Sequence, residues 1–351
     1  MQNDIKIALI ARMDKTGLGI QTYQYFKCFR PHKTLVIDFS GYKPGKQHPE
    51  WYKDKGQTVK FHKGLLNQEA IDWITEDVDV ILSMEIFYNY GVINLAKQRG
   101  VKTVLQYNAE FLDYFNNKFI PYPTMLLAPS AWKLHEVKAL AQGKCKVEYL
   151  PLPIDREALP FRLRSQAKDF LHIAGMPTHM DRNGTLIFIE AMKHVKSDVN
   201  FIIRTQQELP EIKDERCKVY NEVDNYEDLY SEGDVFVMPR RYAGLCLPLN
   251  ESLSTGMIPI MTHCSPQDLF LDRINLIAPC SSDKFMARTE IEVYNADPEE
   301  LAERIDWLAN VKRETIEDLS RKADKLATEW SWQNMRAKYL QLFRSLRNVK
   351  T

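Results

Sequence analysis

The chain has 351 residues, with 47 basic and 47 acidic residues, and 44% of its residues are hydrophobic. This length allows two domains with sizeable cores, and the composition is that of a globular protein rather than a disordered, collagenous or coiled-coil chain. No apolar run approaches the roughly 18 residues that a membrane span needs. The apolar stretch between Lys6 and Arg12 is too short for a secretory signal, so we expect a cytoplasmic protein without a membrane partner.

The charge is unevenly distributed along the chain. Residues 1–155 contain four more basic than acidic residues, and residues 156–351 contain four more acidic than basic residues. The neutral total excludes a protein whose whole surface binds nucleic acid, while the basic first half favours an anionic partner there. The six cysteines have no paired spacing, so we expect free thiols rather than disulfides or a zinc site.

In the first half, short apolar runs alternate with segments of helix length. Predicted strands cover residues 5–11, 34–39, 58–61, 78–83, 102–106 and 124–129, and predicted helices cover residues 19–28, 67–76, 91–99 and 131–142. Several of the runs are apolar throughout, as in parallel strands that are covered on both faces. The pattern predicts an α/β fold with a doubly wound parallel sheet.

The proline-rich residues 150–155 predict a linker, after which the alternation resumes. Predicted strands cover residues 169–174, 200–205, 217–220, 235–238 and 258–262, and predicted helices cover residues 184–195, 226–231, 250–255 and 332–346. The second half is therefore also expected to be Rossmann-like. On the last helix, one face carries an apolar stripe formed by Met335, Tyr339, Leu342, Phe343 and Leu346.

The first strand is followed by a glycine-containing loop, Thr16-Gly17-Leu18-Gly19. Gly17 and Gly19 would let the backbone approach a ligand, and the helix N-terminus after them would attract a phosphate or sugar oxygen. A third glycine and an acidic residue, which a dinucleotide-binding motif requires, are missing. A tight strand-to-helix turn without a ligand therefore remains an alternative.

A second loop, after the predicted strand 235–238, has more features of a nucleotide site. It runs from Pro239 through Arg240 and Arg241 to a helix that is expected to begin near Asn250 and to end at Gly256. Loop amides and the helix N-terminus could hold a diphosphate, the two arginines could neutralise it, and Glu251 could accept hydrogen bonds from ribose. A helix cap at Asn250 followed by an acidic first turn is the alternative without a ligand.

This passage resembles the nucleotide-sugar signature of retaining GT-B glycosyltransferases of the family-4 type, P-S-x-x-E-G-x-G-L-P-x-x-E-A. The matching positions are Pro239, Gly244, Leu247, Pro248, Glu251 and Gly256. Three further elements of that family are resembled in the same order: the glycine loop, the linker and Glu329-Trp330-Ser331-Trp332. The detailed sequences of the two loops resemble those of phage-encoded members. The resemblance implies two Rossmann-like domains facing a cleft, with the last helix crossing back to the N-terminal domain.

The resemblance implies an acceptor domain over residues 1–155, a donor domain over residues 156–330 and a C-terminal helix over residues 331–351. The predicted donor-binding residues are Gly17, Gly19, Arg182, Arg240, Arg241, Gly244, Leu245, Cys246, Leu247 and Glu251. The family's first glutamate, which contacts the donor sugar, falls at Ala243, so sugar recognition must differ. The family's phosphate-binding arginine falls at Met176, and the nearby Arg182 could supply that charge, with a solvated loop cation as the alternative.

Polar residues that follow two strands of the first half are the candidates for catalysis. Glu85, Asn108 and Glu110 are expected beyond the carboxyl ends of strands, where ligands of open α/β sheets bind. Glu85 or Glu110 could polarise an acceptor hydroxyl, and either could instead be a structural carboxylate. Lysines and aromatic residues interleave over residues 43–63 and 111–122, which fits binding of sugars, flipped bases or phosphates as well as ordinary packing.

The expected function is retaining transfer of a hexosyl or pentosyl group from a nucleotide-sugar to an acceptor hydroxyl. The donor is expected to be a UDP-sugar, with a GDP-sugar as the alternative, and no metal or further cofactor is expected. A phage enzyme that glycosylates hydroxymethylated DNA bases is the leading hypothesis, with a glycan or a virion protein as other acceptors. A nucleotide-sugar epimerase, a phosphorylase and a binding protein without turnover are the alternatives, and a monomer is expected.

Overall fold

The computed structural model describes residues 5–41, 47–54, 56–117, 119–175, 180–221, 223, 226–242 and 244–349. The chain divides into two compact units. The first unit contains the residues up to Pro153 together with those from Trp332 onward, and the second unit contains Ile154–Ser331. Within the described ranges, no helix is both long enough and apolar enough to cross a membrane.

The first unit is built on a parallel sheet which, among the residues described, has seven strands in the order β3-β2-β1-β4-β5-β6-β7. The strands are β1 (Ile7–Arg12), β2 (Lys33–Asp38), β3 (Thr58–Lys63), β4 (Val80–Met84), β5 (Lys102–Gln106), β6 (Met125–Ala128) and β7 (Lys146–Tyr149). The helices between them are α1 (Gly17–Gln24), α2 (Gln68–Thr75), α3 (Gly91–Gln98) and α4 (Leu134–Ala141), and a π-helical turn, Tyr25–Phe29, extends α1. The central strands are buried on both faces, which explains their continuous apolar runs.

The second unit contains a parallel sheet with the order β10-β9-β8-β11-β12-β13 over its described part. The strands are β8 (Asp169–Gly175), β9 (Asn200–Thr205), β10 (Cys217–Tyr220), β11 (Val235–Met238), β12 (Ile258–Thr262) and β13 (Leu276–Ile277). The helices of this unit are α5 (Thr185–Met192), α6 (Leu247–Ser254), α7 (Pro298–Asn310) and α8 (Arg313–Glu329). One apolar cluster lies on each face of the sheet. Two Rossmann-like units are therefore confirmed.

The second unit also carries an antiparallel hairpin of β14 (Pro279–Met286) and β15 (Glu290–Ala296), inserted between β13 and α7. The sequence did not predict it, because β14 is polar and mostly exposed along its whole length. Strand β7 was also not predicted. It is a short edge strand with partly exposed residues on both faces, so it lacks a continuous apolar run.

The last helix, α9 (Trp332–Ser345), packs on the first unit, as expected. Its residues Met335, Tyr339 and Phe343 are at most 1% exposed. The rings of Tyr339 and Phe343 contact those of Tyr25 and Phe29, with centroids about 5.8 Å apart in both pairs. The apolar stripe on the helix is thus its contact face, although Leu342 is only partly buried.

Candidate functional site

The loop between β11 and α6 is held in shape by Arg240. The side chain of Arg240 is buried, with 4% exposure. Its Nε donates to the carbonyl oxygen of Tyr242 at 2.9 Å, and its Nη2 donates to the carbonyl oxygen of Leu245. The sequence predicted that Arg240 contacts phosphate. In the structure its guanidinium instead points into the loop, which lacks regular backbone hydrogen bonding and needs donors for its carbonyl groups.

Helix α6 begins at Leu247, three residues before the expected start near Asn250. Pro248 lies in its first turn, where a missing N–H group costs nothing. Cys246 is the N-cap residue, and no side chain among those described caps the helix. Gly244 is buried just before it. The amide groups and positive potential of the first turn are therefore available to an anion, which is the property that diphosphate binding requires.

Arg241 lies on the same loop, six residues before α6 begins, and is only partly buried. Its Nε donates to Oδ1 of Asn295 at 2.7 Å, and its Nη1 donates to the carbonyl oxygen of Met180. Nη2 has no hydrogen-bond partner within the described part of the chain. A guanidinium that is anchored through Nε and Nη1 is suited to bind a phosphate oxygen through Nη2.

The segment before α5 approaches the same loop. Met180 and Asp181 have φ angles of 56° and 45°, a left-handed conformation that side chains other than glycine adopt rarely. The carbonyl oxygen of Arg182 accepts from the backbone N–H of Arg241 at 2.9 Å. The guanidinium of Arg182 lies 5.2 Å from the ring centroid of Tyr242. Arg182 thus contacts Arg241 and Tyr242 of the loop between β11 and α6. Met176 lies outside the described residues.

Unlike α6, helix α5 already has an anion at its N-terminus. The carboxylate of Asp181 accepts from the backbone N–H groups of Thr185 at 2.7 Å and of Leu186 at 3.0 Å. Burial raises the pKa of Asp181, and the two amide donors oppose that rise. Of these two helices, α6 is therefore the better placed to receive an anion at its first turn.

Glu251 is buried on α6, with 5% exposure, in the second helical turn rather than the first. Its Oε1 accepts from the hydroxyl of Tyr226, and its Oε2 accepts from the hydroxyl of Tyr230 at 2.5 Å. Burial raises the pKa of Glu251 to about 8, whereas two hydroxyl donors favour the ionised form. Sequence reasoning missed both tyrosines because they lie 25 and 21 positions before Glu251. Ala243, the other position of the family's glutamate pair, lies outside the described residues.

The glycine loop of the first unit is closed by its own polar residues. The carboxylate of Asp14 accepts from the buried guanidinium of Arg12 at 2.8 Å and from the backbone N–H of Thr16 at 3.1 Å. A Cβ atom on Gly19 would lie 1.9 Å from the carbonyl oxygen of Asp14. A glycine at position 19 is therefore required by the close packing of the turn itself, which agrees with the interpretation of this loop as a tight turn without a ligand. Gly17 is exposed and is the first residue of α1.

Two of the three catalytic candidates lie together beyond β4 and β5. Nδ2 of Asn108 donates to Oε1 of Glu85 at 2.8 Å, and both residues are partly exposed. Glu85 has a φ angle of 62°, a strained conformation for this residue type. Glu110 is buried in a short 3-10 turn, with 2% exposure. Of the two carboxylates, Glu85, held by Asn108, is thus the more accessible.

Several aromatic residues of the two lysine-containing segments, residues 43–63 and 111–122, are engaged in packing. The ring of Trp51 stacks on those of Tyr23 and His48, with centroid distances of 5.1 and 4.7 Å. Tyr52 and Tyr114 are buried, and Phe119 is almost fully exposed. Lys43, Lys46, Lys55 and Lys118 lie outside the described residues. Packing, the alternative to ligand stacking, therefore accounts for Trp51, Tyr52 and Tyr114, whereas Phe61, Phe111 and Phe119 are exposed.

Residues 167–311, which lie within the second unit, match the model of the family described as glycosyl transferases group 1. No curated protein matches the sequence. Solved structures, however, match both units together.

HepE (Alr3699) from Anabaena, solved with UDP and glucose, aligns with a TM-score of 0.69 at 11% identity, over 97% of this chain and all of that one. A glycosyltransferase from Rickettsia africae aligns with a TM-score of 0.66 at 13% identity, over 99% of both chains. A TarM variant from S. aureus, solved with UDP, aligns with a TM-score of 0.63 at 10% identity, over 97% of this chain and 99% of that one. At these identities the likeness is one of fold. The chain therefore has the GT-B fold, and the match of residues 167–311 supports a glycosyltransferase of group 1.

Proposed function

We propose that this chain is a retaining glycosyltransferase that binds a UDP-sugar through its second unit and transfers the sugar to an acceptor hydroxyl. The observation that carries the proposal is the uncapped first turn of α6, which follows a loop that is braced by Arg240 and that also carries the anchored guanidinium of Arg241. A uridine nucleotide is favoured over a guanosine nucleotide because similar folds were solved with UDP or UDP-glucose.

The donor diphosphate would accept hydrogen bonds from the amide groups of Leu247 and Leu249 at the start of α6 and from Arg241. These groups would stabilise the negative charge that grows on the leaving UDP when its bond to the anomeric carbon breaks. Glu251 would accept from the ribose hydroxyls through the lone pairs that its tyrosine partners leave open, since each carboxylate oxygen can accept more than one hydrogen bond. Arg240 would act through the shape of the loop.

The acceptor would bind the first unit near Glu85. Its hydroxyl oxygen would form the new bond to the anomeric carbon as the bond from that carbon to UDP breaks, and its proton would pass to the carboxylate of Glu85. Glu85 would polarise that hydroxyl, and Asn108 would fix the orientation of the carboxylate through the 2.8 Å hydrogen bond. No step in this scheme requires a metal ion.

Hydroxymethylated DNA remains the acceptor that the basic first half of the chain favours, and a phage enzyme would use it in the host cytoplasm. A glycan and a virion protein supply the same chemical group, a hydroxyl. The test is therefore a screen for nucleoside diphosphate release, in which UDP-sugars and GDP-sugars are each combined with hydroxymethylated DNA, unmodified DNA, glycans and proteins. Mass spectrometry would identify the product, and NMR of the new linkage would show whether its anomeric configuration is that of the donor.

We expect UDP release that depends on both a UDP-sugar and one acceptor class. Donor consumption without any acceptor would instead favour an epimerase or a phosphorylase, and nucleotide binding without release would indicate a protein without turnover. Calorimetry of UDP with Glu251→Ala is expected to show no binding. Glu251→Gln, which keeps the volume of this buried side chain, separates loss of ribose recognition from loss of folding; unchanged UDP affinity in both variants would contradict the role of Glu251.

A further inference from the structure

The hairpin β14–β15 contacts two neighbouring residues, Arg241 and Tyr242, of the loop between β11 and α6. The backbone N–H of Tyr294 donates to the carbonyl oxygen of Arg241 at 2.9 Å, and the side chain of Asn295 accepts from the Arg241 guanidinium. The ring of Phe285 meets the ring of Tyr242 edge to face, with centroids 5.0 Å apart. The hairpin therefore determines where these two loop residues lie.

The amide of Asn295 is itself fixed. Its Nδ2 donates to Oγ of Ser281 at 2.9 Å, and Ser281 is the residue that pairs with Asn295 across the hairpin. With Nδ2 engaged in this way, Oδ1 is directed to Nε of Arg241. The chain Ser281–Asn295–Arg241 thus sets the guanidinium from one side, while the carbonyl oxygen of Met180 sets it from the other.

A guanidinium has five N–H donors in a rigid planar fork, so fixing Nε and one Nη group fixes the direction of the remaining donors. For an arginine on an irregular loop, the cost of ordering its long side chain would otherwise be met when the ligand binds. An arginine whose side chain is ordered before binding therefore contributes more to ligand affinity. Because Arg241 would contact only the diphosphate, this gain in affinity is expected for UDP and not for uridine.

We infer that Asn295, on the inserted hairpin, is a positioning residue for donor binding: it holds Arg241 in the orientation that meets the diphosphate of the nucleotide-sugar. The inference rests on the proposed function, because it assumes that Arg241 contacts this diphosphate. It assigns the hairpin a part in phosphate recognition, a role that the sequence motifs did not indicate. Asn295 acts through Arg241 and does not itself touch the ligand.

The test compares UDP with uridine, because the two ligands differ only in the diphosphate. Asn295→Ala is expected to weaken UDP binding about tenfold, in line with the loss of a hydrogen bond to a charged group, and to leave the affinity for uridine unchanged. Ser281→Ala is the matched control. It removes the hydrogen bond that orients Asn295 but leaves the bond to Arg241, so a loss of UDP affinity below about threefold is expected.

A double-mutant cycle shows whether Asn295 acts through Arg241. In an Arg241→Ala background, Asn295→Ala is expected to change UDP affinity less than about twofold. Equal losses in both backgrounds would overturn the inference because they show that Asn295 acts independently of Arg241. Equal losses for UDP and uridine would overturn it because they indicate a general effect on the fold. If the unaltered protein binds UDP no better than uridine, the phosphate role of Arg241 fails and the inference fails with it. If the unaltered protein binds neither ligand, the proposed function fails as well.

Discussion

The buried His172 predicts a specific dependence of stability on pH. This residue lies on β8 with 0% exposure. One ring nitrogen, Nδ1, is 2.8 Å from the carbonyl oxygen of Val237, and the other, Nε2, is 2.9 Å from the hydroxyl of Thr185. Because a carbonyl only accepts, Nδ1 carries the proton, and Nε2 accepts from the hydroxyl. The site therefore satisfies a neutral imidazole.

Burial lowers the pKa of His172 from 6.5 to about 4 in the folded protein. The unfolded chain binds a proton near pH 6.5, whereas the folded chain does not bind it until pH 4 is approached. The contribution to stability is therefore fully present above pH 6.5 and is lost as the pH falls from 6.5 to 4. At about 1.4 kcal/mol per pKa unit, the loss in the free energy of unfolding amounts to about 3.5 kcal/mol once both states are protonated.

The measurement is urea unfolding of the unaltered protein and of His172→Asn, each at pH 7.5 and at pH 4.5. Carboxylates also titrate in this range, so the relevant quantity is the difference between the two proteins at each pH. We expect His172→Asn to be the less stable protein at pH 7.5 and to lose about 2.5 kcal/mol less on acidification to pH 4.5. Equal losses in the two proteins, or an NMR titration of the folded-state His172 ring near pH 6.5, would refute the reasoning.

Three other substitutions test separate parts of the structure. Gly19→Ala is expected to destabilise the first unit by about 1–3 kcal/mol, because its Cβ would clash with the carbonyl oxygen of Asp14; Gly41→Ala, where an added Cβ meets nothing within 4 Å, is the control, and equal melting temperatures would contradict this. Arg240→Ala is expected to lower the melting temperature and UDP affinity together, since it removes two hydrogen bonds that shape the loop, and a loss of affinity alone would assign Arg240 to direct phosphate contact. Glu85→Gln is expected to reduce transfer at least about 100-fold with UDP affinity unchanged, and full activity would exclude it as the activating carboxylate.

The fold was largely predictable because most strands are buried apolar runs. Four strands of the second unit, β9 to β12, have the predicted bounds. Strands β9, β11 and β12 are buried over almost their whole length, whereas β10 is an edge strand that is mostly exposed. The hairpin escaped prediction because β14 reads Ser281-Ser282-Asp283-Lys284 in its middle and buries little. Strand β15 did carry a signal, since Ile291 and Val293 are buried and alternate with exposed Glu290 and Glu292.

The site was predictable only in part. The motif located Glu251 and the two adjacent arginines, but it could not separate the arginines, whose side chains follow different directions on an irregular loop. Arg240 is 4% exposed and bonds to loop carbonyls, while Arg241 bonds to Asn295, 54 positions away. The hydrogen bonds of Tyr226 and Tyr230 to Glu251 could not be predicted from the sequence either, because these residues come together only in the folded chain.

The return of α9 to the first unit determines how the protein can be divided. A fragment that ends after Pro153 would contain every strand of the seven-stranded sheet but would leave the rings of Tyr25 and Phe29 without the helix that covers them. The second unit, by contrast, is one continuous stretch of chain, and its two ends are paired with each other. The backbone N–H of Ile154 donates to the carbonyl oxygen of Trp330, and Ile154 forms a β-bridge with Ser331. The second unit can therefore be expressed alone as the single fragment Ile154–Ser331. Expression of the first unit alone requires that its two segments be joined by a short artificial linker.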